Sequence, residues 1–174
     1  MIDIPVIIPW RNDNKVAKAY DDIMAQIQDW CLILDHDVLM LNPEWYRICC
    51  RAAETLGKTS GWISGRTSAN ATLSPTQMDF EAPRNHDIMA HMRHAKKIYQ
   101  RLGEQIIRFD NGTVMSGFMI LTNRWTWEKV GGFDERAADS YYHYDMIKHG
   151  IDAHILPGLY MYHLHHNKKA WHQF

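Results

Sequence analysis

The chain has 174 residues, the length of one compact domain. It is 46% hydrophobic and 22% charged, a composition that forms a buried core and excludes a disordered or collagen-like chain. Nineteen Lys and Arg against twenty Asp and Glu give a formal net charge of −1. This balance gives no indication of binding to nucleic acid or to an anionic membrane.

In the first half of the chain, short apolar runs alternate with amphipathic segments. Continuous apolar runs predict buried strands over residues 4–9 and 30–34. Apolar residues spaced three and four apart predict a helix over residues 14–28. A second helix is expected between two residue groups typical of a helix start and a helix end, Asn42-Pro43 and Gly57.

The second half begins with a short predicted strand over residues 62–64, followed by a long loop rich in Ser, Thr, Asn and Pro. Beyond the loop, the same patterns predict helices over 86–102, 125–130 and 141–149, and strands over 114–121, 154–156 and 159–162. Strands that alternate with helices predict an α/β fold with a mixed, mostly parallel sheet flanked by helices. In such sheets, ligands bind beyond the carboxyl ends of the strands.

His91 and His94 lie one turn apart on one of the predicted helices. The apolar stripe of that helix includes Ile88, Met92 and Ala95. This spacing predicts that the two histidines lie on the solvent side of the helix.

The start of the chain and the cysteines give no indication of secretion. The opening sequence MIDIPVIIPW contains an acid and no base, unlike a signal peptide, and no apolar run reaches the ~18 residues that span a membrane. Cys31, Cys49 and Cys50 make no disulfide framework, and we expect buried thiols. We therefore expect a cytoplasmic protein without a transmembrane segment.

The sharpest chemical feature is Asp35-His36-Asp37, directly after a predicted strand. In extended backbone, residues two apart point the same way, so both carboxylates face one site and His36 faces the other. Two carboxylates held close together repel each other unless a cation lies between them. Mg²⁺ or Mn²⁺ suits oxygen ligands and keeps positions open for phosphate groups. On spacing alone, a solvated turn after a strand explains the two aspartates equally well.

Three sequence blocks span most of the chain in a fixed order. The first contains NDNKVAKAYD from residue 12, DWCLILDHD from residue 29 and NPEW from residue 42. The second contains SGFMILTNR from residue 116 and WEKVGGFDE from residue 127, and the third contains DSYYH from residue 139 and PGLYMYH from residue 157. Together they resemble the core of GT-A fold glycosyltransferases of the family 2 type, with their D-x-D and W-x-x-V-G-G-F-D-E motifs.

The resemblance implies a GT-A-like, Rossmann-like fold and a nucleotide-sugar-dependent glycosyltransferase. It implies that Asp35 and Asp37 hold Mn²⁺ or Mg²⁺ and, through the metal, the diphosphate of a UDP- or GDP-linked sugar. His163 matches a histidine that completes the metal site in several such enzymes. Asp139 matches the general base that takes the proton from an acceptor hydroxyl in inverting members. The acceptor (a glycan, a small molecule or a protein) and the oligomeric state stay open.

Two arginines complete the expected donor site. Arg11 and Arg66 stand at predicted strand ends, where a guanidinium binds phosphate oxygens, and both are candidate donor-binding residues.

By the same resemblance, residues 1–174 form a single minimal domain. Its expected parts are a donor- and metal-binding half (1–64), the long loop (65–85), an acceptor half (86–163) and a tail or lid (164–174).

The first half departs from the family pattern. Only 25 residues separate Pro9 from Asp35, a span without room for the strands that bind the nucleotide base in family members. Two alternative functions therefore stay open. One is a non-catalytic nucleotide- or sugar-binding relic of the fold, and the other is a metal-dependent phosphohydrolase that uses the two aspartates and the late histidines.

Two of the implied residue roles also have plainer alternatives. Asp139 alone would serve as the N-cap of the helix predicted from residue 141. His163 would serve as a packed strand residue, or as a zinc ligand together with some of the following histidines, His165, His166 and His172.

Overall fold

The computed structural model describes residues 2–9, 15–68, 76–110 and 112–164. The elements in chain order are β1 (Val6–Ile7), α1 (Val16–Met24), β2 (Trp30–Leu34), β3 (Val38–Met40), α2 (Trp45–Leu56), β4 (Ile63–Thr67), α3 (Ile88–Leu102), β5 (Ile107–Arg108), β6 (Met119–Asn123), α4 (Arg124–Val130), α5 (Ala138–Lys148) and β7 (His154–His163). They form one α/β domain, as the sequence predicted.

The described strands form one mixed sheet in the order β1-β2-β6-β4-β7-β3, with β5 against β7. The prediction of a mostly parallel sheet is wrong. β1 is parallel to β2 and β4 is parallel to β7, whereas β6 is antiparallel to β2 and β4, and β3 and β5 are antiparallel to β7. Every residue of β2 and β6 is buried, and an apolar run buried on both faces does not encode the direction of its strand.

Side chains of β2 alternate between two cores, one on each face of the sheet. Trp30, Leu32 and Leu34 pack in the core that α2 covers. Cys31 and Ile33 pack in the core that α1 and α5 cover. Helices therefore flank both faces, and the Asp35 turn at the end of β2 emerges between them.

The α2 helix follows its sequence pattern closely. It ends at Leu56, and Gly57 after it has a φ of 71°, a conformation that favours glycine. Asn42 accepts a hydrogen bond at 2.9 Å from the backbone N–H of Glu44, so it shapes the turn before the helix while Glu44 occupies the N-cap position. β3 and β5, with three and two residues, are too short for a periodic pattern and were not predicted.

β7 is one continuous strand of ten residues, where the sequence predicted two. Pro157 and Gly158 suggested a break, but the register of β7 against β4 shifts between Ser64 and Arg66, and this irregularity accommodates them. A Cβ on residue 158 would lie 2.0 Å from the carbonyl oxygen of Gly103, so glycine is required where α3 ends against the strand.

The histidines of α3 correct the sequence prediction. His91 is fully buried, whereas Met92 is 43% exposed, so the buried face of the helix is rotated from the expected stripe. The carbonyl of Asn85 accepts from His91 Nε2 at 2.8 Å, so Nδ1 accepts from the Tyr160 hydroxyl at 2.7 Å. His94 Nε2 lies 3.0 Å from the Asp79 carboxylate. Polar partners inside the fold, which a periodicity cannot encode, hold both rings inward.

The three cysteines are free and buried, as predicted. Burial raises the pKa of the Cys31 thiol to about 12. A thiol that stays protonated is a poor nucleophile, so these residues act as small apolar side chains.

Candidate metal centre

Strand pairing brings Asp35, Asp37 and His163 together. Asp35 directly follows β2, and a turn closed by a 3.2 Å bond from Val38 N–H to the Asp35 carbonyl leads into β3. Val38 pairs with His163 at the end of β7, and Leu164 N–H donates to the Asp37 carbonyl at 3.0 Å. His163 Nε2 lies 3.1 Å from Asp37 Oδ1 and 3.8 Å from Asp35 Oδ2.

This triad has the donor set and spacing of a divalent metal site. One ligand atom from each residue lies within 4.8 Å of the other two. Ligands at about 2.0–2.2 Å from one ion lie up to about 4.4 Å apart, so small side-chain movements suffice. The side chains of Asp37 and His163 are 10% and 8% exposed and that of Asp35 is 37% exposed, so solvent reaches the triad on the Asp35 side.

The electrostatics of the triad favour a bound cation. The pKa of Asp35 is raised to about 6, mainly by burial and in addition by the nearby carboxylates of Asp37 and Asp139. The ionised form of Asp35 is therefore costly in the metal-free protein, and a divalent ion would relieve that cost.

A cavity of about 390 Å³ adjoins Asp35 and His163. Its size falls within the range of about 300–1,000 Å³ typical of small-molecule sites. The first turns of α1 and α5 and the loop before β6 form its walls, with Val16, Ala17, Tyr20, Ser116, Gly117, Glu135, Ala137, Ala138 and Asp139 as further lining residues.

Asp139 faces this cavity from the first turn of α5. Its Oδ2 accepts from Gly117 N–H at 2.9 Å and its Oδ1 accepts from Ser140 N–H at 2.7 Å. The helix begins at Ala138 and its N-cap position is Ala137, so Asp139 is not the N-cap residue but an acid in the first turn of the helix. Oδ1 also accepts from the Ser140 hydroxyl at 3.4 Å, whereas Oδ2 keeps a further lone pair for a ligand.

The W-x-x-V-G-G-F-D-E motif fixes α1 against this cavity. The Asp21 carboxylate on α1 accepts from Trp127 Nε1–H at 2.7 Å and from Phe133 N–H at 3.0 Å. Gly132 has a φ of +93°, and a Cβ there would lie 2.9 Å from that carboxylate. Glu135 accepts a backbone N–H from the first turn of α1 at 2.9 Å and lines the cavity. The motif therefore positions the walls around the triad.

Three successive backbone N–H groups, those of residues 115–117, each donate to a side chain. The acceptors are, in chain order, His143 Nδ1 at 3.5 Å, Gln77 Oε1 at 2.7 Å and Asp139 Oδ2 at 2.9 Å. The first and third acceptors lie one turn apart on α5, and the second belongs to the segment between β4 and α3.

The buried His143 imidazole makes the fold sensitive to acid. Desolvation lowers its pKa to about 4, so between pH 6.5 and 4 the unfolded chain binds this proton and the native chain does not. We expect the free energy of unfolding to fall by about 2–3 kcal/mol between pH 7.5 and pH 4.5 through this residue. Urea titrations at both pH values, with His143→Gln as the comparison that lacks this titration, measure it. An equal pH dependence in both proteins would contradict the assignment.

A second cavity, of about 440 Å³, lies on the other side of Asp37. Asp35 and His163 line the first cavity, whereas Asp37 and His36 line the second, so the triad separates the two. The remaining lining residues of the second cavity are mostly apolar: Leu39, His86, Ile88, Tyr162 and Leu164.

One further candidate, Arg66, is not brought to the triad. Arg66 is half-buried on β4, donates from Nη2 to the Met78 carbonyl at 3.1 Å, and lines neither cavity. Arg11 and the segment 165–174, with its expected lid and zinc-ligand histidines, lie outside the described residues.

Several cavity residues were missed in the sequence. Tyr20 is part of the apolar stripe of α1, which hid its place beside Asp35 and Asp139, the two carboxylates that raise its pKa after burial. Ser116 and Gly117 were seen only as the start of a strand block. Their position before a buried strand, at the same sheet edge as Asp35, is the feature that could have identified them.

Comparison with protein-family models and with curated proteins found no match to this chain. Within the part of the chain that the structure describes, no helix is both long enough and apolar enough to cross a membrane.

Proposed function

We propose that this chain is a metal-dependent glycosyltransferase that moves a sugar from a nucleotide-sugar to an acceptor hydroxyl. One observation carries the proposal. Asp35 and His163, two members of the Asp35–Asp37–His163 triad, line one cavity of ligand size together with the Asp139 carboxylate. Binding a diphosphate requires a cation site, and accepting a proton requires a separate carboxylate beside it.

The triad suits Mn²⁺ best. Two carboxylate oxygens match Mg²⁺ or Mn²⁺, and the imidazole of His163 favours a transition metal. A metal held there would neutralise the charge that develops on the departing nucleoside diphosphate. The chain's own contribution is to hold three ligands on two strand ends and to keep Asp37 and His163 largely away from solvent.

Asp139 supports an inverting reaction. In that reaction the acceptor oxygen bonds to the anomeric carbon, the bond from that carbon to the diphosphate breaks, and the hydroxyl proton passes to the carboxylate. Gly117 N–H orients Oδ2 and Ser140 N–H orients Oδ1, so the carboxylate is fixed before the acceptor binds. Such general-base help contributes about 10²–10⁴ in rate.

The donor's base stays unassigned in this proposal. β1 has two residues and is the outermost described strand beyond β2, so the described part of the chain offers a small surface there for a base. UDP and GDP are the first candidates to test, by the family resemblance of the sequence.

Calorimetric titration of UDP and GDP, with Mn²⁺ and with a chelator, tests the proposal. We expect one nucleotide to bind only with Mn²⁺, because its diphosphate needs the cation between it and the carboxylates. The double variant Asp35→Ala/Asp37→Ala should lose this binding. Asp152→Ala, which removes an exposed carboxylate paired with Arg108, should keep it.

The other outcomes separate the alternatives. Absence of nucleotide binding by the folded protein under every condition contradicts the proposal. Binding that does not need the metal indicates a non-catalytic relic. Release of phosphate from simple esters without a sugar acceptor indicates a phosphohydrolase.

A further inference from the structure

We propose that Gln77 is a positioning residue that fixes the Ser116–Gly117 backbone and, through it, the Asp139 carboxylate. The proposal rests on the proposed function for its kinetic consequence. Its structural part, that one buried amide holds the wall of the first cavity, stands separately. Gln77 lines neither cavity and lies far in sequence from Asp139.

The Gln77 amide grips both backbone groups of one residue. Its Oε1 accepts from Ser116 N–H at 2.7 Å, and its Nε2 donates to the Ser116 carbonyl at 3.1 Å. Nε2 also lies 3.2 Å from Ser64 Oγ on β4. The residue is fully buried, so water does not replace these bonds if they are lost.

Gln77 is itself held on the sheet by its backbone. Thr67 N–H donates to the Gln77 carbonyl at 2.8 Å, and Asp79 N–H donates to the Thr67 carbonyl at 2.9 Å. Met78 between them forms a parallel bridge with Thr67. The amide therefore links β4 rigidly to the segment that precedes β6.

Asp139 and Gly117 are in close contact, so small displacements matter. A Cβ on residue 117 would lie 2.8 Å from the Asp139 Cβ, and the only polar bond between the two residues is the 2.9 Å contact from Gly117 N–H. Ser116 and Gly117 both line the cavity. If the hydrogen bonds from Gln77 to Ser116 are lost, we expect the neighbouring Gly117 N–H, which orients Asp139, to move as well. A displacement of about 1 Å lowers the rate by up to about 10².

The described hydrogen bonds of Gln77 go to Ser64, Thr67 and Ser116, which are not members of the metal triad. This predicts a split that general destabilisation would not produce. The variant Gln77→Met, which keeps the length and removes both polar groups, should lower kcat at least tenfold. Its Kd for Mn²⁺ and its KM for the nucleotide-sugar should stay within about twofold of the wild-type values.

Asn123→Leu is the matched control. Asn123 is also buried, accepts from Thr126 N–H at 2.9 Å and donates to the Ser60 carbonyl at 2.8 Å. It pairs with Trp30, the first residue of β2, whereas Asp35 follows the last residue of that strand. Both variants should lower the melting temperature, and only Gln77→Met should lower kcat further than its loss of folded protein explains.

Amide hydrogen exchange gives a readout that needs no activity. In Gln77→Met the exchange rates of Ser116 and Gly117 should rise at least tenfold, and in Asn123→Leu they should not change. If the folded Gln77→Met protein keeps both amides protected, or if both variants lower kcat equally, the proposal is overturned.

Two further measurements distinguish failure of the Gln77 proposal from failure of the proposed function. If Gln77→Met does not fold, Ser64→Ala removes one partner of the amide and should raise Ser116 exchange severalfold; unchanged exchange there overturns the proposal. If the wild-type protein transfers no sugar, the proposed function fails, and the exchange rates still decide whether Gln77 holds this segment.

Discussion

Replacement of Asp139 by Asn is expected to lower kcat for sugar transfer by about 10²–10⁴. An amide has nearly the shape of a carboxylate, and its oxygen still accepts from Gly117 N–H, but it cannot take a proton from an acceptor hydroxyl. Because the triad is unchanged, the Kd values for Mn²⁺ and for the nucleoside diphosphate should stay within about twofold.

Glu135→Gln provides the matched control for that measurement. Glu135 is a second carboxylate on the same cavity, and its Oε1 accepts from Lys18 N–H at 2.9 Å, a bond that the amide oxygen can keep. We expect its kcat to fall less than tenfold. If Asp139→Asn instead keeps its kcat and weakens nucleotide binding, Asp139 is a binding residue, and the assignment as general base fails.

The two aspartates of the triad could be predicted because they leave a local trace in the sequence. Asp35 and Asp37 directly follow a five-residue apolar run, and the structure ends β2 at Leu34, where that run ends. The burial of a strand and the residue at which it ends depend on neighbouring residues, so a short stretch of sequence is enough to predict them. Without a family resemblance, however, the link to His163 would have stayed invisible, because β3 is only three residues long and its pairing with β7 is a long-range event.

The parts that could not be predicted depend on partners distant in sequence. The orientation of α3 is set by His91 and His94. Their hydrogen bonds to Tyr160 and Asp79 compensate for the loss of water around the buried polar rings. Gln77 is another example, since it lies in a segment without periodicity and its partner is 39 residues further along the chain. Hydrophobic patterns report which faces are apolar and contain no information on such polar pairs.

Replacement of Asp35 by Asn should stabilise the metal-free protein and weaken its binding of Mn²⁺. The pKa of Asp35 is raised to about 6, so the stability that its protonated form gives at low pH is lost as the pH rises from about 4 to about 6. At pH 7.5 without metal, Asp35→Asn should therefore raise the free energy of unfolding. We expect a gain of about 1 kcal/mol, well below the full value of the pKa shift, because the side chain is 37% exposed and solvent screens it. The gain should disappear below about pH 4, where the wild-type carboxyl is protonated as well.

The same substitution should weaken Mn²⁺ binding by about 100-fold or more, because it replaces one of three ligands. Urea unfolding with a chelator and with saturating Mn²⁺ measures both effects, since a ligand that binds only the native state stabilises it. Wild-type protein should gain stability from Mn²⁺, and Asp35→Asn should start higher and gain little. Asp152→Asn, on the exposed pair with Arg108, should change the free energy of unfolding by less than about 0.5 kcal/mol and should keep the response to Mn²⁺. A metal-free Asp35→Asn protein less stable than wild type would mean that the carboxylate serves the fold itself. An unchanged response to Mn²⁺ would mean that the ion binds elsewhere.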